Sequence, residues 1–130
     1  VLRPIMGFRC VHILVVEDNE DTREGITEYL MEKGHQVTSV ANGREALLAL
    51  SQLPRPCVVL LDWMMPVMGG EELLHQLQLQ QALEGLSVVA ITARPGLPDG
   101  GMPLRAVLPK PLDLGRLMSV VGQVAPRPAA

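Results

Sequence analysis

Five side chains in this sequence have types and positions suited to chemistry: Glu17, Asp18, Asp62, Thr92 and Lys110. Each falls at the end of a short apolar run. Glu17 and Asp18 follow Val11 to Val16, Asp62 follows Cys57 to Leu61, Thr92 follows Ser87 to Ile91, and Lys110 stands one Pro beyond Arg105 to Leu108. If those runs are parallel strands of one sheet, their carboxyl ends open on a single crevice, where open α/β sheets bind ligands. Three carboxylates gathered there repel one another, since a like-charged pair ~5 Å apart costs about 3 kcal/mol at an effective dielectric of about 20. A cation has to sit among them. Lys110 supplies one charge. A donor set made only of Asp and Glu oxygens favours a hard ion such as Mg²⁺, which takes one or two carboxylates, keeps water and completes its shell with phosphate oxygen. The set therefore predicts a phosphorylated ligand or a phosphorylated side chain. Phosphoryl transfer requires an in-line nucleophile, a metal, and donors on the equatorial oxygens, and Asp62, Mg²⁺, Lys110 and the Thr92 hydroxyl fill those places.

Positioning these residues takes an alternation of strands and helices, and the chain carries that pattern. Strands are predicted at Val11 to Val16, Gln36 to Val40, Cys57 to Leu61, Ser87 to Ile91 and Arg105 to Leu108. A first helix is predicted over Glu20 to Lys33, stopped by Gly34, and a second over Gly43 to Gln52, opened by Asn42 with Glu45 as capping-box partner. A third is predicted over Gly70 to Leu83 with Leu73, Leu74, Leu77 and Gln81 inward. The last follows Asp113 as N-cap and is expected to bury Leu114, Leu117, Val120, Val121 and Val124. The first, third and fourth strands are near-continuous aliphatic runs, as parallel strands covered on both faces require. The predicted class is α/β: a flavodoxin-like open parallel five-stranded sheet, order 2-1-3-4-5, with helices on both faces, the order taken partly by analogy with known doubly wound sheets. The fourth helix of that fold is predicted missing or very short. Its place, Ala93 to Leu104, contains Pro95, Gly96, Pro98, Gly100, Gly101 and Pro103, and an interior Pro costs about 3 kcal/mol and a Gly about 1 relative to Ala.

At 130 residues the chain has room for one domain, predicted over residues 10–124, with flanking or linker segments at 1–9 and 125–130. Its longest apolar runs fall far short of the ~20 residues of a membrane span. Val1 to Cys10 lacks the apolar stretch and cleavage site of a signal peptide, so a cytoplasmic location is expected. A net charge of -3 without a Lys/Arg cluster argues against direct nucleic-acid binding. Cys10 and Cys57 lie in or beside apolar runs and read as small core residues rather than a disulfide. His12, His35 and His75 lack metal-ligand spacing, and Met64, Met65 and Met68 read as loop packing. Trp63 has two readings, as a cover on the edge of the site or as packing against the following helix. The missing initiator Met and the linker-like tail from Ala125 to Ala130 read as a piece of a longer chain.

The fragments ILVVEDN from Ile13, ANGREAL from Ala41, LLDWMMPVMGG from Leu60, ITA from Ile91 and LPKPLD from Leu108 span nearly the whole chain. In that order they resemble the receiver domain of bacterial two-component response regulators. The resemblance implies that Asp62 is the phosphoacceptor, and that Asp18 and Asp62 ligate Mg²⁺ together with the backbone carbonyl of Met64. It implies that Glu17 acts through a metal-bound water, that Thr92 hydrogen-bonds a phosphoryl oxygen, and that Lys110 pairs with the phosphoryl group. Pro111 is implied to follow a cis peptide bond. The implied partners are a histidine kinase or phosphotransfer protein as donor and an output domain or partner protein as reader. The implied role is regulatory phosphorelay, not catalysis on an external substrate.

Other readings fit less of the pattern. An aspartyl-phosphate phosphohydrolase would want a second acid two residues beyond Asp62, where Met64 stands. A pseudo-receiver that docks partners without phosphorylation has no need of the intact acid, Thr and Lys set. Neither a G-x-G-x-x-G nor a P-loop string occurs. The chain departs from the receiver pattern at Val107, three positions before Lys110, where the family carries an aromatic residue. With that ring and the fourth helix both absent, the isolated chain is expected to remain a monomer.

Overall fold

Successive side chains of a strand point to opposite faces, so a strand with no polar positions has to be covered on both. The chain meets that requirement in a computed structural model that describes residues 12–93 and 103–124. In chain order the elements are β1 (His12–Val16), α1 (Glu20–Glu32), β2 (Gln36–Val40), α2 (Gly43–Leu50), β3 (Cys57–Asp62), α3 (Gly70–Leu79), β4 (Leu86–Thr92), β5 (Ala106–Pro109) and α4 (Leu114–Val124). The strands form one parallel sheet in the order β2-β1-β3-β4-β5, as predicted.

The period of two sorts the core into halves. Ile13, Val15, Val58 and Leu60 face one side, where they pack with Ile26 and Leu30 of α1 and Leu117 and Val121 of α4. Leu14, Val16, Val59 and Leu61 face the other, against Ala46 and Leu50 of α2 and Leu73, Leu74 and Leu77 of α3. Cys57 belongs to this second half, and burial pushes its thiol up to about 11, so it stays protonated and inert. The buried Ser87 hydroxyl of β4 donates to the Val124 carbonyl at 2.9 Å and ties the end of α4 to the sheet.

Helix ends follow local chemistry. Asn19 Oδ1 accepts from the Thr22 N–H, Asn42 Oδ1 from the Glu45 N–H, and Asp113 Oδ1 from the Arg116 N–H. The Glu45 carboxylate reaches back to the Ala41 N–H at 3.1 Å, one residue earlier than an ideal capping box. α1 closes with Gly34 at φ 92°, its N–H on Met31 and the His35 N–H on Leu30.

Three expectations are corrected. α2 ends at Leu50, not Gln52. α3 ends at Leu79, not Leu83, because Gln81 adopts φ 55° and is exposed instead of facing inward. Its N–H bonds the Gln78 carbonyl while the Ala82 N–H bonds that of Leu77, the pair of bonds that closes a helix around a left-handed residue. In α4, Leu114 is exposed and Val120 only half-buried, so Leu117, Val121 and Val124 form the inner stripe.

Among the described residues there is no helix between β4 and β5. Residues 94–102, on which most of the missing-helix expectation rests, lie outside the described residues, as do Cys10 and both flanking segments.

Candidate functional site

The register of the sheet brings the carboxyl ends of its three central strands level. β1 pairs with β3 through Val16 and Leu61, and Asp62 pairs across β4 with Ile91. One residue past β1, Glu17 keeps its N–H on the Val40 carbonyl of β2, which holds the acid at the sheet edge. Glu17 and Asp62 are buried while Asp18 opens to solvent. Each of the three offers a carboxylate oxygen, and those oxygens lie within 4.8 Å of one another.

Lys110 enters from β5. Its backbone N–H bonds the Thr92 carbonyl at 2.9 Å, and its Nζ lies 3.1 Å from Asp62 Oδ1 and 3.6 Å from Glu17 Oε1. The Lys110–Pro111 peptide is cis, as the resemblance implied. Thr92, the last residue of β4, is buried on the strand beside Asp62. Glu17, Asp18, Asp62 and Lys110 therefore form one cluster, with Thr92 joined to it through the backbone of Lys110.

Electrostatics at this cluster are not those of a surface ion pair. Burial pushes the Asp62 carboxyl up to about 7; the hydrogen bond from Lys110 pulls it down and the neighbouring Glu17 charge pushes it up again. Partial burial by itself would lower Lys110. The hydrogen bond and charge of Asp62, joined by those of Glu17, outweigh it and hold the ammonium above its ordinary range. The ammonium offsets one charge of three, so an excess of negative charge remains. An all-oxygen donor set with one solvent-facing member suits a hard divalent ion that retains water.

Some supporting residues were not anticipated from sequence. Arg23, one turn into α1, donates from its guanidinium to the Glu17 carbonyl at 2.9 Å, and the Asn19 N–H donates to Glu17 Oε2 at 3.1 Å. An Arg six residues past the acid carries no signal until α1 folds back over the end of β1. His12 bonds Thr38 Oγ1 at 3.1 Å, His35 is buried, and His75 is exposed on α3, so none of them joins the acids. Met65 and Met68 pack against the core as expected, whereas the Met64 side chain is exposed. Trp63 packs against the start of α3 at Gly70.

Comparison with known proteins matches residues 13–122 to the family described as response regulator receiver domain. The chain belongs to this family. A response regulator receiver protein of Anaeromyxobacter sp. (strain Fw109-5) is 37% identical over 113 residues, a match covering 82% of this chain and 45% of the relative. The chain spans about half the length of the curated relatives it matches. Among solved structures, a CheY-like receiver domain protein from Methanospirillum hungatei JF-1 superimposes with a TM-score of 0.79 at 24% identity, covering 86% of this chain and 91% of that one. TrrA from Thermotoga maritima, solved in complex with Mg(2+)-BeF, gives a TM-score of 0.76 at 24% identity over 88% of this chain and 98% of its own. These structural likenesses establish the fold. The family match establishes a receiver domain of the response-regulator type.

Proposed function

We propose that this receiver domain accepts a phosphoryl group on Asp62 in a Mg²⁺-dependent reaction, taking it from a histidine kinase or phosphotransfer protein and relaying the state to an output domain or partner protein. The observation that carries the reading is the buried Asp62 carboxylate, with Glu17 and Asp18 close by and the Lys110 ammonium 3.1 Å from its oxygen. An Asp62 oxygen attacks phosphorus, the P–N bond of the phosphohistidine breaks, and its electron pair stays on the imidazole nitrogen. Asp62 becomes an acyl phosphate. Water later cleaves it to inorganic phosphate and the free carboxylate.

Asp18, Asp62 and the Met64 carbonyl would hold the ion, with Glu17 acting through a metal-bound water. When bound, Mg²⁺ supplies positive charge against both the carboxylates and the phosphoryl oxygens. Lys110 gives up its pairing with the carboxylate oxygen to pair with the phosphoryl group, and the Thr92 hydroxyl donates to a phosphoryl oxygen. The role is regulatory, since the only bond the domain turns over is its own acyl phosphate. No described helix is long and apolar enough to cross a membrane, and the proposed location is cytoplasmic, beside a kinase.

Intact-mass measurement after incubation with acetyl phosphate and Mg²⁺ tests this reading. The wild-type chain should gain one phosphoryl mass, and the gain should vanish with EDTA or in Asp62→Asn. An unchanged wild-type mass, with beryllofluoride also failing to bind, would leave a docking module that works without phosphorylation.

A further inference from the structure

Residues 63–69 connect β3 to α3 and carry Met64, whose carbonyl is the one backbone group in the proposed ligand set. This loop is gripped at both ends by a glycine. Gly43, the first residue of α2, donates its N–H to the Met68 carbonyl at 3.1 Å. A Cβ at Gly43 would stand 2.7 Å from Met68 Cγ and 2.8 Å from the Met68 carbonyl oxygen, closer than real Cβ atoms come. Because that oxygen is backbone, the loop itself would have to move. At the other end Gly70, the first residue of α3, donates its N–H to the Trp63 carbonyl at 3.0 Å. A Cβ at Gly70 would lie 2.5 Å from Trp63 Cε3 and 3.1 Å from Cδ2 and Cζ3.

Neither glycine is required by backbone conformation, since the positive-φ glycines among the described residues are Gly34 and Gly85. What Gly43 and Gly70 provide is space for another segment to approach. Between the two grips the Met68 N–H bonds the Pro66 carbonyl at 2.9 Å around Val67 at φ 72°. That is a γ-turn of the rare, strained hand, and a β-branched residue is ill suited to it. Strained backbone persists only where its surroundings over-determine it. Trp63 and Met64 directly follow Asp62, so any displacement of the loop is delivered to the site.

We infer that Gly43 and Gly70 are positioning residues of the divalent-cation site, holding the loop so that the Met64 carbonyl reaches the ion shared by Asp18 and Asp62. The inference rests on the proposed reading of that cluster as a Mg²⁺ site. Groups that orient metal ligands without touching the metal are worth about 10- to 100-fold in affinity.

Isothermal titration calorimetry with Mg²⁺ on the wild type, Gly43→Ala, Gly70→Ala and the double variant Gly70→Ala/Trp63→Leu is the test, with thermal unfolding of each in EDTA. Both single variants should fold and bind Mg²⁺ about tenfold more weakly or worse. The double variant, which removes the ring that the new Cβ strikes, should recover most of the loss, and it carries the test if Gly70→Ala does not fold. Folded single variants that lose stability but bind Mg²⁺ as the wild type does would make these glycines packing residues only and overturn the inference, leaving the proposed function intact. A folded double variant that binds no better than Gly70→Ala would overturn the part assigned to Gly70. If the wild type itself binds no Mg²⁺, the reading of the site fails and the inference with it.

Discussion

At Asp62 two requirements oppose each other, because a nucleophilic carboxylate must be ionised and a buried one resists ionisation. Its pKa in the fold is raised from 3.8 to about 7, so the folded chain holds this proton more tightly than the unfolded chain does. The contribution to stability is fully present below about pH 4 and is lost as pH rises through about 7. In EDTA at pH 8, Asp62→Asn should therefore be more stable than the wild type, by on the order of 2 kcal/mol, and the difference should close towards pH 4. Adding Mg²⁺ should stabilise the wild type and leave the variant nearly unmoved. Urea denaturation at the two pH values reads this directly, and a variant no more stable than wild type at pH 8 would mean that ionising Asp62 carries no penalty in the fold. Lys110 supplies only part of the relief, since its side chain is 33% exposed and its charge is shared with Glu17.

Among the elements, the caps were legible and one helix end was not. Asn42, Asp113 and Gly34 mark their boundaries because each has a local job, a side-chain acceptor for an orphan N–H or a left-handed residue free of a Cβ. α3 closes on Gln81 at φ 55°, a residue type that does not advertise a left-handed stop, so the apolar pattern runs on past the true end. The same blindness covers the loop between β3 and α3, where a valine occupies a left-handed position. Val67 is 67% exposed and has little packing to lose, while Asn tolerates its backbone conformation. Val67→Asn should accordingly raise stability by about 1 kcal/mol in chemical denaturation. A neutral or negative change would show that the turn costs the fold nothing. Affinity for Mg²⁺ should stay at the wild-type level, because both glycine grips on the loop remain.

For the molecule as a whole, the described residues form one sheet with a core on each face, and under the proposed function surfaces away from the acids would carry the output. Val107 on β5 is half-buried and aliphatic, so the aromatic residue of the receiver pattern has no counterpart there. Light scattering of the chain with and without beryllofluoride and Mg²⁺ should accordingly report a monomer in both states; dimers formed only in the activated state would show that another surface mediates pairing. The sequence by itself determined the class of the fold, the order of its elements and which acid, Thr and Lys residues stand at the carboxyl ends of its strands. It could do so because parallel strands buried on both faces leave long aliphatic runs, and because a ligand crevice at their carboxyl ends makes each run stop on a polar residue. Distances belonged to the tertiary structure. That Lys110 reaches Asp62 at 3.1 Å, that Arg23 folds back onto Glu17, and that Gly43 of α2 meets Met68 of the loop between β3 and α3 all depend on sheet register and helix packing. The first and last of these contacts join residues far apart in the chain, and local propensity and spacing carry no information about which distant backbone will arrive beside a glycine.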